Sequence, residues 1–360
     1  MPDARVQAAI DHWAPRFVWN GVDYNDFVRT TRSIERWEDW LDAWGELAEM
    51  HLGLARDAEA AGHALTAGEA FARAAVCFHF SKFVWVLDPE RNREHTERAR
   101  DALYDAHRLL DPGAERVEAP FESSFLAGNL RRPAGAERPP LVVLIPGLDS
   151  TKEEFFLWEN TLLARGLATL SIDGPGQGET RHRGLLMRPD YEVALAAMLD
   201  AVAGADDLDL ERVGAAGISL GGYHVVRACA FEPRVSAVVS ISGPYALGGD
   251  WDDKPEQTKD SYRFYAGAQD DGDLRERVFV RGSLAGVAER LQQPAIFMTG
   301  KLDRLVPWQE TERAAREAPN AEFVLYEHGN HGCANVPYLA RPLIADFFYD
   351  RLAAPARVGG

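Results

Sequence analysis

The chain has 360 residues, 46% of them hydrophobic and 26% charged, and a formal net charge of −17, which is enough chain for one large core plus an accessory module. The acidic balance argues against nucleic acid and anionic membrane and carries no information on the substrate. A small organic molecule is the expected partner, and a homodimer is left open. Cys77, Cys229 and Cys333 are odd in number and spaced like neither a disulfide framework nor a metal site, no apolar leader opens the chain, and no segment has the length of a membrane span, so a cytoplasmic location is expected. The first 112 residues are strand-poor. Their periodicity predicts helices over 2–17, 33–61, 66–87 and 90–110, with starts at Ser33 and at the Thr66/Glu69 capping box, and breaks at Gly62 and Asp88-Pro89. Trp37, Trp40 and Trp44 follow helical spacing and are expected to fill the core of this helical accessory domain.

Residues 113–360 read differently. An opening hairpin over 117–130 is followed by apolar runs at 141–145, 168–172, 213–218, 235–241, 295–299 and 323–326, alternating with helical stretches. That is the pattern of a mainly parallel α/β sheet wrapped by helices on both faces. Residues 247–291 are longer than a crossover requires, and they are expected to form a cap insertion.

The chemistry concentrates where these strands end. Gly217-Ile218-Ser219-Leu220-Gly221 joins an apolar strand to a helix over 220–231, the context of a nucleophile elbow, in which a strained turn presents a serine hydroxyl. The strand at 295–299 runs into Asp303, and the strand at 323–326 runs into His331. Nucleophile, acid and base in this order belong to the α/β-hydrolase fold and not to the chymotrypsin or subtilisin arrangements.

Ser219 is a poor nucleophile at neutral pH unless His331 takes its proton, and Asp303 would hold the imidazole tautomer. His331 lies between small residues after its strand has ended, whereas His328 follows Tyr326 and Glu327 too closely to clear the sheet edge. The backbone N–H groups of Leu220 and Leu148, the latter in the turn Ile145-Pro146-Gly147-Leu148, are the expected oxyanion donors. Cys333 is read as a packing residue, because no base pairs with it.

The loop Asp173-Gly-Pro-Gly-Gln-Gly178-Glu179 is glycine-rich, but it lacks the Gly-Lys-Ser/Thr ending of a phosphate loop. It is read as the tight turn after a strand, near the rim of the site. Trp19-Asn-Gly-Val-Asp23-Tyr24 mixes aromatic and polar groups in a stretch expected to be non-helical, so Trp19 and Tyr24 are candidates to line an organic-substrate pocket. No metal or organic cofactor is expected.

The N-terminal helical domain, the turn Pro146-Gly-Leu-Asp-Ser-Thr-Lys-Glu-Glu154, the loop 173–179 and the elbow Gly217-Ile-Ser-Leu-Gly-Gly222 together resemble the 2,6-dihydroxypseudooxynicotine hydrolase family over nearly the whole chain. The resemblance implies a serine hydrolase that cleaves a carbon–carbon bond in a β-diketone-like, acyl-aromatic or polyketide-type substrate. It also implies an auxiliary acid after the strand that follows the elbow helix. The matching position here is Asp250, beside Trp251, a third candidate for the pocket; the shorter acid departs from the family's glutamate. A dry aromatic pocket holding Asp250 protonated would let it assist a carbon leaving group. A carboxylesterase is the alternative within the class, and a cyclase, lyase or binding protein on the same scaffold is the alternative outside it.

Overall fold

The computed structural model describes residues 3–354, which form two compact units. The first holds the chain up to Ala114 together with Glu153–Leu157 and Pro255–Ser261. Its helices are α1 (Ala4–Trp19), α2 (Tyr24–Ser33), α3 (Trp40–Ala60), α4 (Ala64–Ser81) and α5 (Pro89–Leu110). Trp37, Trp40 and Trp44 are buried, and Phe17 stacks on Phe80 at 3.8 Å between ring centroids. Two of the indole N–H groups in this core are paired: Trp40 donates to the Phe80 carbonyl and Trp85 to that of Trp37, both at 3.1 Å.

Two helix starts differ from expectation. Ser33 ends α2 instead of opening a helix, and α4 begins at Ala64, so Thr66 and Glu69 lie inside its first turns. The segment from Trp19 to Tyr24 is also not one non-helical stretch, since Trp19 closes α1 and Tyr24 opens α2. Asp23 caps α2 by accepting from the Asn25 and Asp26 amides. By contrast α5 starts as its sequence dictates: Asp88 caps it, Pro89 occupies the first turn, and His107 and Arg108 sit in the last turn.

The second unit is built on one eight-stranded sheet in the order β1-β2-β4-β3-β5-β6-β7-β8. The strands are β1 (Glu115–Phe121), β2 (Ser124–Arg131), β3 (Pro140–Ile145), β4 (Ala168–Asp173), β5 (Asp209–Ile218), β6 (Val235–Ile241), β7 (Ala295–Gly300) and β8 (Ala321–Tyr326). Within this sheet the β1–β2 and β2–β4 pairings are antiparallel and the others are parallel. Every residue of β3, β4 and β7 is buried, as central parallel strands covered on both faces require. Edge strand β1 alternates Val117 and Ala119 inward with charged residues and Pro120, which blunts the edge.

Along the chain follow α6 (Phe156–Leu163), α7 (Gly178–His182), α8 (Glu192–Val202) and α9 (Leu220–Cys229); the segment between β6 and β7 holds α10 (Glu256–Ala266) and α11 (Asp271–Arg277), and α12 (Trp308–Glu317) and α13 (Pro337–Phe348) follow β7 and β8. β4 and β5 lie on opposite sides of β3, so the strand order reverses there, and ligand crevices form at the carboxyl ends of strands flanking such a reversal. Cys77, Cys229 and Cys333 are free thiols, all buried. Among the described residues no helix is long and apolar enough to cross a membrane.

Candidate active site

Ser219 stands between β5 and α9 with φ 58° and ψ −123°, a left-handed backbone that a serine adopts only when its surroundings force it. The forcing contacts are glycines. A Cβ on Gly217 would fall 2.0 Å from the Gly221 carbonyl oxygen, and one on Gly221 would fall 2.2 Å from that of Ile145. The strand, the elbow and the turn after β3 therefore approach more closely than any side chain permits. Leu220 is the first residue of α9, so its N–H has no partner one helical turn back.

The turn after β3 lies directly against the elbow. A Cβ on Gly147 would sit 3.2 Å from Ser219 Cβ and 3.7 Å from its Oγ. Leu148 follows, and its side chain is buried. Gln177 braces this turn from another direction, donating from Nε2 to the Pro146 carbonyl at 2.6 Å.

His331 and Asp303 are brought together after β8 and β7. His331 Nδ1 lies 2.7 and 2.9 Å from the two Asp303 carboxylate oxygens, which places the proton on Nδ1 and the lone pair on Nε2. Asp303 Oδ1 also accepts from the backbone N–H groups of Leu305 and Val306 at 2.9 and 3.0 Å. It does not cap α12, whose first turn follows Pro307. Burial pushes the Asp303 carboxyl up, but the His331 imidazole and the two amides outweigh it and hold the group below its ordinary range.

The histidine loop is fixed on its other side. The Gly332 N–H donates to Ser242 Oγ at 3.0 Å, and Ser242, with φ 49° at the end of β6, meets Thr299 Oγ1 at 3.2 Å. A Cβ on Gly332 would lie 2.8 Å from Ile218 Cδ1, so the residue after His331 packs on the residue before Ser219.

Asp250 corrects one expectation. It is exposed, with φ 50°, and is not enclosed in a dry pocket. Trp251 is buried in the segment between β6 and β7, edge-on to Tyr262 and Phe279 at 5.7 and 5.0 Å, with its indole N–H donated to Asp271 at 3.0 Å. Trp19 and Tyr24 belong to the helical unit, 43% and 64% exposed.

Several residues of this region escaped the sequence reading. The Lys152 ammonium is fully buried between Asp173 at 2.9 Å and Glu179 at 2.8 Å, and Arg116 reaches Glu179 at 2.7 and 2.9 Å. Burial raises the Glu179 carboxyl, yet Lys152 and Arg116 hold it well below its usual range. A lysine thus occupies the place that these two carboxylates would offer a cation. The same stretch carries Glu154 into the helical unit, where it accepts from Arg16 twice at 2.6 Å, from Asn20 at 2.6 Å and pairs with His79 at 3.1 Å.

An eight-stranded sheet with an elbow serine and an acid–histidine pair on successive strand ends defines an α/β-hydrolase. The chain belongs to the esterase FrsA-like family, whose profile matches residues 22–247; residues 154–349 also match the prolyl oligopeptidase family. It is 31% identical to 2,6-dihydropseudooxynicotine hydrolase of Paenarthrobacter nicotinovorans over 344 residues, 95% of this chain and 92% of that protein. A crystal structure of 2,6-dihydroxy-pseudo-oxynicotine hydrolase superposes with a TM-score of 0.86, at 31% identity and over 94% and 95% of the two chains. The 20-hydroxy-prefusarin hydrolase of Gibberella moniliformis is 37% identical over 223 residues, 58% of this chain and 53% of that protein.

Proposed function

We propose that the protein hydrolyses an acyl bond through Ser219, His331 and Asp303, and that the bond is carbon–carbon in a β-diketone-like, acyl-aromatic or polyketide-type compound. The observation that carries the reading is the Asp303–His331 hydrogen bond on a loop packed against the strained Ser219 elbow. His331, with its proton on Nδ1, takes the serine proton at Nε2 as Oγ attacks the carbonyl. The N–H groups of Leu220 and Leu148 receive the developing oxyanion. Collapse of the tetrahedral intermediate expels a carbanion or enolate, which His331 protonates; water, activated by the same histidine, then releases the acyl group from Ser219.

The choice of a carbon–carbon bond rests on the 31% identity to the pseudooxynicotine hydrolase over 95% of this chain. A carboxylesterase is the second reading, favoured by the FrsA-like esterase match. The test pairs a β-diketone or acyl-phenol with a p-nitrophenyl ester of matched size. Wild-type protein should cleave both, and Ser219→Ala should cleave neither, with turnover down by about 10⁴-fold or more. Turnover of the ester alone would move the assignment to carboxylesterase. Near-normal turnover by folded Ser219→Ala would remove nucleophilic catalysis.

A further inference from the structure

Gln177 is 1% exposed and uses its whole amide. Its Oε1 accepts from the Gly174 N–H and from the Tyr191 hydroxyl, both at 2.9 Å. Two donors on one atom fix which end of the amide is oxygen. The Nε2 end is thereby turned toward the β3 turn, where it donates to the Pro146 carbonyl at 2.6 Å and to the Gly147 carbonyl at 3.4 Å. Tyr191 is itself buried, its ring stacked on His224 at 4.2 Å.

The consequence follows from peptide planarity. The Gly147 carbonyl and the Leu148 N–H belong to one trans peptide unit, so they point in opposite directions. Drawing the carbonyl toward Gln177 turns the Leu148 N–H away from it. Pro146 offers no N–H that could satisfy the turn from within, and Gly147 lies against the Ser219 side chain. A wholly satisfied buried amide of this kind specifies one arrangement of the groups it touches.

We infer that Gln177 is the positioning residue of the oxyanion hole, setting the direction of the Leu148 N–H through the Pro146 and Gly147 carbonyls, with Tyr191 locking the Gln177 amide. The inference rests on the Ser219 reading and deepens it. Gln177 touches neither substrate nor nucleophile, so its effect belongs to the transition state, in which negative charge collects on the carbonyl oxygen.

The test is Gln177→Met, which keeps the length and removes both donors. On a p-nitrophenyl ester, kcat should fall by about 30-fold while KM stays within about 3-fold, because the hole is misaligned and not deleted. Phosphonylation of Ser219 by an aryl phosphonate should slow in parallel. Gln177→Glu gives a readout that packing alone would not move. Protonated, its carboxyl can still donate to Pro146; ionised, it repels both carbonyls, so activity should be lost as pH rises through the new group's pKa.

Wild-type kcat and phosphonylation in folded Gln177→Met would overturn the inference, as would a loss confined to KM. Should that variant fail to fold, Tyr191→Phe decides, with a smaller fall in kcat expected and unchanged kcat overturning. Ser219→Ala is measured alongside: if it keeps turnover, the nucleophile reading falls, whereas an inactive Ser219→Ala beside a fully active Gln177→Met removes only the role of Gln177.

Discussion

Lys254, in the segment between β6 and β7, donates from Nζ to the backbone carbonyl of Leu305 at 3.1 Å. The Leu305 N–H in turn donates to Asp303. One ammonium therefore ties the segment after β6 to the turn that carries Asp303. Burial pulls the Lys254 ammonium below the ordinary lysine range, against the opposing pull of Asp250, Asp303 and Glu310.

Lys254→Met should loosen that turn without touching the acid. A fall of about 3- to 10-fold in kcat is expected, with the protein still folded, since one hydrogen bond of roughly 1–2 kcal/mol is lost. Steady-state kinetics on an ester substrate checks it, and an unchanged kcat would show that the two amide bonds suffice to hold Asp303.

Asp303→Asn keeps the shape but favours the wrong imidazole tautomer, with an expected loss of about 10³- to 10⁴-fold in kcat. Asp250→Asn, at an exposed position, should stay within about 3-fold of wild type on ester and ketone alike, as surface changes usually do. A selective collapse of ketone cleavage in Asp250→Asn would restore it as the auxiliary acid.

Glu154 is buried, yet Arg16 and His79 hold its carboxyl well below the ordinary range against the cost of burial. Its folded pKa being depressed, the stabilisation is complete above the ordinary value near 4.5 and is lost as pH falls through the folded pKa. Glu154→Gln strands the Arg16 charge and should cost about 3 kcal/mol at pH 7. The gap to wild type should narrow in acid, as read by tryptophan fluorescence during urea unfolding at several pH values.

Two glycine substitutions set the close approach at the elbow against an open helix surface. Gly217→Ala drives a methyl to 2.0 Å from the Gly221 oxygen and should abolish soluble, active protein. Gly53→Ala, on the exposed face of α3 with nothing within 4 Å, should raise stability by about 0.5–1 kcal/mol. Thermal denaturation distinguishes them, and a normal melting temperature for Gly217→Ala would contradict the close approach described.

The parallel strands were legible because burial on both faces leaves an uninterrupted apolar run, as in Leu141-Val-Val-Leu-Ile145. The start of α2 was not, because that helix is mostly polar and its clearest signal is the Asp23 cap, easily read as a loop acid. Ser219, Asp303 and His331 announce themselves by following strand ends. Gln177, Lys152 and Glu154 do not: their bonds to Pro146, Asp173 and Arg16 span 31, 21 and 138 positions, and no local period encodes such pairings. The exposure of Asp250 was illegible for a related reason, since spacing places a residue along the chain without saying whether water reaches it.

The three buried thiols give the protein a built-in chemical clock. Burial pushes Cys77, Cys229 and Cys333 well above the ordinary thiol range, so little thiolate exists to react in the native chain. An alkylating reagent should consume none of them quickly, then all three once the chain opens. Cys77 lies in α4 of the helical unit, while Cys229 and Cys333 lie in the sheet unit. Mass spectrometry of the alkylated peptides would therefore time the opening of each unit separately, without any added label.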